Sequence, residues 1–235
     1  MTHFGEDNRI ITTEGTTPRA EHLHDRREVI GAIVRVQVQV EPLKRGERGG
    51  RWYDPAPITE VAALRLDSGG VHGIDEMGGT VLDVHHRDHS HSRYRGGNGV
   101  SVGFTSHYGD MRAAFGVHLS DGVAGENILI ASERRFSEED LAGGLLIEAA
   151  DGPVWLDQVV VATPCVEFSR FCVGLEATER PDQRVTRALQ FLGDGVRGYY
   201  AAWSLARDQL DQPEPPPDIR RGDLVFRRLP RDATD

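Results

Sequence analysis

Lysine is nearly absent from this chain: Lys44 is its only lysine, and every other basic residue counted in the charge is arginine. The segment around it, Pro-Leu-Lys-Arg-Gly-Glu-Arg-Gly-Gly, has the composition of an exposed loop. A pyridoxal-phosphate enzyme requires a lysine amine for its Schiff base, and a P-loop requires a lysine directly after its glycines. Neither arrangement surrounds Lys44, so the sequence argues against both chemistries.

Positive charge, cysteine and long apolar runs are also scarce. The 27 basic and 37 acidic side chains give a formal net charge of −10, which leaves no basic surplus to displace the counterions of a nucleic acid or an anionic membrane. No apolar run approaches the roughly 20 residues that cross a bilayer, and the N-terminus lacks the pattern of a secretory signal. Two cysteines do not make a disulfide framework. We therefore expect a cytoplasmic protein that binds neither nucleic acid nor membrane.

Short β-type patterns recur along the chain. Val34, Val36, Val38 and Val40 alternate with polar neighbours, which is the period of a half-buried strand. Gly, Pro, Asp or Asn bound the other short apolar runs and allow the chain to turn. These runs predict strands at 60–66, 80–84, 100–104, 127–131, 145–149, 154–162 and 224–229.

Helical signals are fewer than strand signals. Ser137 precedes three acidic residues that suit the first turn of a helix, and Pro181 suits the start of a helix that Gly193 ends. The sequence therefore predicts a mainly β protein with a few short helices, arranged as a β-barrel and not as a parallel α/β sheet. Residues 1–28 are polar and aperiodic and are predicted to form a flexible N-terminal arm. Residues 29–235 are predicted to form a single domain.

Cys165 is the sharpest chemical feature of the sequence. It follows Pro164 directly after an apolar strand, and Pro164 ends the hydrogen bonding of a sheet. The run from Cys165 to Cys172 is typical of a short helix with Arg170 nearby, an environment that favours the thiolate, which attacks sulfur or binds metal. A free cysteine is more often a small buried hydrophobe, and the local sequence leaves both roles open. Cys172 is interpreted as a core residue, because two helical turns separate it from Cys165 by about 10 Å, beyond disulfide reach.

Four histidines, His85, His86, His89 and His91, lie close together in the chain. On a strand, His89 and His91 would share one face and could chelate a metal. No partner motif lies elsewhere, so a solvated polar loop is the favoured interpretation, and the role of the cluster stays open.

Several separated motifs occur in an order that is typical of one family. They are Gly125-Glu126-Asn127-Ile128-Leu129, the strand that ends in Thr163-Pro164-Cys165, Gly195-Val-Arg-Gly198-Tyr-Tyr and Gly222-Asp-Leu-Val, preceded by a looser Gly-x-x-Gly-x-Asp turn that ends at Asp75. Together they resemble the MOSC domain, the C-terminal domain of molybdenum cofactor sulfurases. The ordered match spans about residues 29–229, and any one of these motifs alone would be weak.

The resemblance implies a MOSC-type β-barrel that binds molybdenum cofactor (molybdopterin). Cys165 would either hold molybdenum through its thiolate, as metal ligand and catalytic residue, or carry sulfur as a persulfide. Stand-alone relatives imply an oxidoreductase that reduces N-hydroxylated small molecules. Glu126 and Asn127 would order the adjoining loop of the cofactor site, although a plain turn-forming role for this pair is equally open. Arginines would bind the cofactor phosphate through bidentate contacts, and the candidates are Arg170, Arg95 and Arg93.

Two positions depart from the family pattern. Glu167 stands where the family often has a basic residue, and a carboxylate there would repel a phosphate. Ile74 displaces Asp75 from its expected place in the early turn. Both departures keep a third hypothesis open, a non-catalytic binding module that retains only the barrel.

The resemblance also implies partner proteins. No flavin, haem or iron–sulfur signature is present, so an oxidoreductase would need an electron-donor protein. The pyridoxal-phosphate half of the sulfurase is absent, so a sulfur carrier or cofactor-delivery protein with a persulfide on Cys165 would need a separate cysteine desulfurase.

Overall fold

The computed structural model describes residues 26–47, 50–92, 94, 99–176, 179–203 and 217–229. The predicted N-terminal arm lies outside the described residues, apart from residues 26–28. In chain order, the strands are β1 (Arg27–Gln39), β2 (Lys44–Arg45), β3 (Trp52–Tyr53), β4 (Ile58–Glu60), β5 (Ala63–Asp67), β6 (Gly70–Ile74), β7 (Thr80–Leu82), β8 (Val100–Phe104), β9 (Ile128–Ala131), β10 (Leu145–Ala149), β11 (Gly152–Val161), β12 (Tyr199–Trp203) and β13 (Leu224–Arg228). The helices are α1 (Thr105–Phe115), α2 (Glu138–Leu141), α3 (Val166–Cys172) and α4 (Gln183–Phe191), and α4 continues into a π-helical turn over Leu192–Val196.

Seven of these strands close into a β-barrel. Their order is β1-β13-β10-β11-β12-β8-β9, and β9 pairs with β1 to complete the ring. Neighbouring strands are antiparallel, except that β8 and β9 run parallel and are connected through α1. Large apolar side chains from the barrel strands fill the interior, among them Val38, Phe104 and Leu156. The prediction of a mainly β protein with a β-barrel and a few short helices is confirmed.

β1 begins at Arg27, two residues before the predicted start of the domain. Ion pairs hold its first residues in place: Glu28 lies 2.7 Å from Arg227 of β13, and Arg27 lies 3.2 Å from Glu148 of β10. These residues also pair with Arg228 and Arg227 in the β1–β13 ladder, and apolar alternation reveals neither the pairing nor the ion pairs.

A second, smaller core lies outside the barrel. It joins the β2–β3 hairpin, α1, α3 and the π-helical turn through side chains such as Tyr53, Tyr108, Phe168 and Leu192. Cys172 is fully buried in this core, as predicted. The hairpin begins in the segment around Lys44, whose composition predicts an exposed loop, and its two-residue strands are too short for a periodic signal.

The predicted helix starts are found close to their expected places. Ser137 and Asp140 form a capping box at α2, in which the Ser137 hydroxyl accepts the Asp140 N–H over 3.1 Å. At α4 the capping residue is Asp182, whose carboxylate accepts the Arg184 N–H over 2.8 Å, and Pro181 precedes it. In the part of the chain that the structure describes, no helix has the length and apolar character needed to span a membrane.

Candidate functional site

A cavity of about 400 Å³ opens between the barrel and the second core. Its wall is built by the β2–β3 hairpin, the turn after β7, the start of β8, the turn before β9, the segment after β11 and the start of β12. Cavities of this size accommodate a small molecule or a cofactor. Six chain segments that are distant in sequence therefore meet around one space.

Cys165 lines this cavity. β11 ends at Val161, and Pro164, which has no N–H to continue the sheet, separates it from α3. Cys165 occupies the N-cap position of α3, where its sulfur accepts the Phe168 N–H over 3.5 Å. The side chain is half-buried and the thiol is free. The helix predicted to begin at Cys165 is confirmed.

Arg197 is a cationic group that interacts electrostatically with Cys165, and it interacts with Glu126 as well. One terminal nitrogen donates to the Ala124 carbonyl over 3.3 Å, and the guanidinium lies 5.7 Å from the centre of the Phe168 ring. Its Nε atom is buried without a hydrogen-bond partner. Arg197 is therefore fixed by two protein contacts and keeps one donor unused beside the cavity.

Two motif glycines allow the turns that carry these side chains. Gly198 has a φ of +112°, and a Cβ there would lie 2.6 Å from the Val102 carbonyl oxygen. Gly125 has a φ of +83°, and a Cβ there would lie 2.7 Å from a methyl carbon of Leu43. Only glycine fits both the left-handed conformation and the close approach. These two glycines thus shape the turns that bring the adjacent residues Arg197 and Glu126 to the cavity wall.

Glu126 is a buried acid on the cavity wall, only 4% exposed. Its Oε2 atom accepts the Tyr108 hydroxyl proton over 2.9 Å, whereas its Oε1 atom has no hydrogen-bond partner. Burial raises the pKa of Glu126 to about 7, and the bond from Tyr108 and the charge of Arg197 offset only part of that effect. Glu126 therefore holds its proton more tightly than an exposed glutamate does.

Asn127 is buried behind the cavity and makes structural contacts. Its Oδ1 atom accepts from the Ser101 N–H over 3.0 Å and from the Ser101 hydroxyl over 2.8 Å. Its Nδ2 group donates to Oδ2 of Asp83 over 3.0 Å. Asn127 is not among the cavity-lining residues, so within the described structure it orders β8 and Asp83 and does not reach the cavity itself.

The β2–β3 hairpin contributes two more cationic side chains, Lys44 and Arg51. The Nε atom of Arg51 is buried without a partner. Lys44 lies in a strand and not in a loop, and its Nζ atom is 3.8 Å from Oε2 of Glu167. Glu167, the acidic residue that departs from the family pattern, thus forms an ion pair with the only lysine of the chain.

The arginines predicted to bind the cofactor phosphate have different outcomes. Arg170 is buried, its guanidinium donates to the carbonyl oxygens of Glu176 and Glu179, and it does not line the cavity. Five helical residues rotate the side-chain direction by about 500°, which leaves Arg170 about 140° away from Cys165. Arg93 and Arg95 lie outside the described residues.

The histidine cluster divides between the cavity and its surroundings. His85 and His91 line the cavity. His89 uses both ring nitrogens: Nδ1 accepts the His91 N–H over 3.1 Å, and Nε2 lies 3.2 Å from the Val40 carbonyl oxygen. His89 and His91 therefore do not present a shared pair of free ring nitrogens to a metal.

Asp67, His72 and His86 bring three potential metal ligands within 4.8 Å of one another, the one such group found in the described residues. Nε2 of His72 lies 2.6 Å and Nε2 of His86 lies 3.1 Å from the Asp67 carboxylate. Nδ1 of His86 accepts the Asp88 N–H over 3.1 Å, so the neutral ring carries its proton on Nε2 and donates it to Asp67. A metal would need that atom deprotonated, and the arrangement is accordingly a hydrogen-bonded network.

Several residues of the site carry no clear sequence signal. Arg51 and His85 stand in polar segments that resemble solvated loops, and Asp83 is one of many acidic residues. Arg197 is the exception, because it stands between the two glycines of the Gly195-Val-Arg-Gly198 motif. Its position within this motif is a sequence signal that identifies Arg197 as a candidate site residue.

Comparison with known proteins adds no functional assignment. No family model matches the chain, and no curated protein matches it. Among solved structures, the YuaD protein from Bacillus subtilis is 12% identical, with 86% of this chain and 96% of that chain covered and a TM-score of 0.47. A hypothetical protein is 10% identical, with 85% of this chain and 69% of that chain covered and a TM-score of 0.45.

Proposed function

We propose that this chain is a MOSC-type protein that binds molybdenum cofactor in the cavity, with the Cys165 thiolate as the molybdenum ligand, and that it reduces N-hydroxylated small molecules. The observation that carries the proposal is that Cys165 lines a cavity of about 400 Å³ together with Arg51, Arg197 and Glu126. A cysteine that served packing alone would be enclosed, as Cys172 is at 0% exposure. The proposal also rests on the motif resemblance in the sequence.

The donor and acceptor groups of the cavity fit this cofactor. Nε of Arg51, Nε of Arg197 and Oε1 of Glu126 are all buried without a hydrogen-bond partner, and each such atom costs about 1–3 kcal/mol until it is paired. Guanidinium groups match a phosphate, and a carboxyl oxygen matches the N–H and amino groups of a pterin. A soft thiolate suits a sulfur-ligated metal. One ligand with a phosphate, a pterin and a thiophilic metal would therefore satisfy the whole set.

Each residue would then have a separate task. Cys165 would hold the metal, Arg51 and Arg197 would bind the phosphate, and Glu126 would bind the pterin. When bound, the cofactor supplies two-electron transfer, and a partner electron-donor protein must restore those electrons. The ion pair with Lys44 reduces the repulsion that Glu167 would exert on a phosphate, which weakens the case for a non-catalytic module.

Metal analysis of protein produced in a host that makes the cofactor tests the proposal. We expect stoichiometric molybdenum in the wild type, retention in Cys172→Ala and loss in Cys165→Ala. The Cys172 variant is the matched control, because it removes the same thiol from a position that does not line the cavity. Molybdenum absent from the wild type, or undiminished in Cys165→Ala, would contradict the proposal.

A sulfur carrier is the second candidate function. It is favoured by the half-buried, cavity-lining position of the free Cys165 and by the complete burial of Cys172. In such a transfer the Cys165 thiolate attacks the outer sulfur of a persulfide on a cysteine desulfurase and leaves a thiolate on that partner. Intact mass after incubation with a desulfurase and cysteine should show one added sulfur on the wild type and none on Cys165→Ala. No added sulfur on the wild type removes this candidate.

A further inference from the structure

His85 is held by a buried carboxylate at the wall of the cavity. Its Nδ1 atom lies 2.8 Å from Oδ1 of Asp83, and its backbone N–H donates to the same oxygen over 2.9 Å. Asp83 is fully buried, whereas the His85 side chain is 37% exposed and lines the cavity. One edge of the ring is thus fixed inside the protein, and the opposite edge, with Nε2, is open.

The remaining contacts of Asp83 keep it ionised. Its Oδ2 atom accepts the Gln39 N–H over 2.9 Å and the Asn127 side-chain amide over 3.0 Å. Burial alone would raise the pKa of Asp83, but the hydrogen bonds from His85 and from the backbone outweigh it and hold the pKa below its usual value. The proton between Asp83 and His85 therefore belongs to Nδ1 of His85. In the neutral ring, Nε2 then carries a lone pair that faces outward.

This proton arrangement is opposite to that of two neighbouring histidines. His86 and His89 each accept a backbone N–H at Nδ1, so each neutral ring carries its proton on Nε2. That N–H donates to the Asp67 carboxylate in His86 and to the Val40 carbonyl oxygen in His89. Among these three, His85 is the one whose Nε2 is left to take up and release a proton. A base held by a buried carboxylate and open to a cavity is a recurrent acid–base arrangement in enzymes.

We propose that His85 is a proton-transferring catalytic residue of this cavity and that Asp83 and Asn127 are its positioning residues. The inference rests on the proposed function for its substrate, an N-hydroxylated compound. The reaction is R–NH–OH + 2 e⁻ + 2 H⁺ → R–NH₂ + H₂O, in which the N–O bond breaks and new N–H and O–H bonds form. In the cationic ring both nitrogens carry a proton, and Nε2–H of His85 gives the proton with which the oxygen leaves as water. The second proton, which completes the amine, comes from solvent, and the ring then regains its own proton from solvent. The cofactor, when bound, would supply the two electrons, and the electron-donor protein would restore them.

The first test reads the proton positions without any cofactor. Nitrogen-15 NMR of the full chain, labelled at histidine and measured at alkaline pH, distinguishes the protonated from the free ring nitrogen. We expect Nδ1 to be protonated in His85 and Nε2 in His86 and His89, with the His85 signal assigned by its loss in His85→Gln. Asp83→Asn should remove the preference at His85 alone. A proton on Nε2 of neutral His85 overturns the inference.

The second test is kinetic and uses the loaded enzyme. His85→Gln leaves three of the four hydrogen bonds to Asp83 in place, and we expect its kcat, normalised to bound molybdenum, to fall by about 10²–10⁴-fold. His118→Gln, an exposed histidine outside the cavity, should leave kcat unchanged. An unchanged kcat in His85→Gln overturns the catalytic role. A wild type without molybdenum instead overturns the proposed function, and the NMR measurement distinguishes the two failures.

Discussion

The Tyr108 hydroxyl donates its proton to Oε2 of Glu126 over 2.9 Å, and its oxygen accepts the Ala124 N–H over 2.9 Å. Because a hydroxyl has a single proton, the direction of both bonds is fixed. Oε1 of Glu126 is left without a partner at the cavity wall. A buried acid with one satisfied and one unsatisfied oxygen is suited to meet a ligand, and it also makes stability depend on pH.

Replacing Glu126 by Gln should change how stability varies with pH. The folded pKa of about 7 lies above the ordinary value of 4.5, so the folded state disfavours the charged form. The stability that this group contributes is complete below pH 4.5 and is lost as the pH rises through 7. We expect the unfolding free energy of Glu126→Gln, relative to wild type, to rise by about 2 kcal/mol between about pH 5 and 7.5. Urea unfolding at each pH measures this, and the exposed control Glu139→Gln should show no such trend.

His107 should act on stability in the opposite direction. It is 1% exposed on α1, neither ring nitrogen has a partner, and burial, aided by the charge of Arg135, lowers its pKa from 6.5 to about 4. Between pH 6.5 and about 4, His107 is therefore protonated in the unfolded chain but not in the folded chain. The stability that is present above pH 6.5 is lost as the pH falls towards 4. We expect His107→Phe to reduce the loss between about pH 7 and 5 by about 2 kcal/mol. Identical pH profiles for variant and wild type would contradict this.

The turn that carries Arg197 should not accept a side chain at Gly198. Alanine at Gly198 meets the Val102 carbonyl oxygen at 2.6 Å, whereas alanine at Gly222, with a φ of +98°, meets nothing within 4 Å. Both variants pay for the left-handed conformation, about 1–2 kcal/mol. Gly198→Ala must also displace backbone, so we expect it to cost at least about 2 kcal/mol more than Gly222→Ala. Equal losses in thermal or urea unfolding would show that the turn does not press against β8.

Substitution of Arg197 should show whether cofactor retention depends on positive charge alone or also on the geometry of the hydrogen bonds. Lysine in its place keeps the positive charge but loses the planar fork that fits a phosphate. We expect Arg197→Lys to retain molybdenum at least about tenfold less tightly than wild type during dialysis, because a charge-assisted hydrogen bond contributes about 1.5–3 kcal/mol. Arg184→Gln changes an exposed arginine whose partner is Asp182 and serves as the control. Equal retention by Arg197→Lys would remove the assigned phosphate contact.

The strands that the sequence predicts well are those bounded by turn residues and filled with apolar side chains. β8 and β10 occupy the predicted ranges 100–104 and 145–149. β11 begins earlier than predicted, at Gly152, because its first residues are held by pairing with Ala149 of β10 and not by their own apolar pattern. The β2–β3 hairpin is missed because its two-residue strands are too short to show a period. Hydrogen bonding between paired strands leaves no signal in the hydrophobic pattern of either strand alone.

The position of Cys165 is predictable, whereas the identity of its cationic neighbour is not. A strand, a proline and a short helix are local features, so the sequence places the thiol at the end of β11. Arg170 is close in sequence but is turned away by the helix. Arg197 is brought near the end of β11 by strand pairing in the barrel. Val161 of β11 pairs with Tyr199 of β12, and the Ala162 N–H donates to the Gly198 carbonyl over 3.0 Å.

The bond between the Cys165 sulfur and molybdenum is the central claim, and X-ray absorption at the molybdenum edge measures it most directly. Wild type and Cys165→Ser should be compared, since serine keeps the shape of the side chain but replaces the ligating sulfur by oxygen. We predict one more sulfur neighbour of molybdenum in the wild type than in Cys165→Ser. The same number of sulfur neighbours in both proteins would show that this thiol does not bind the metal.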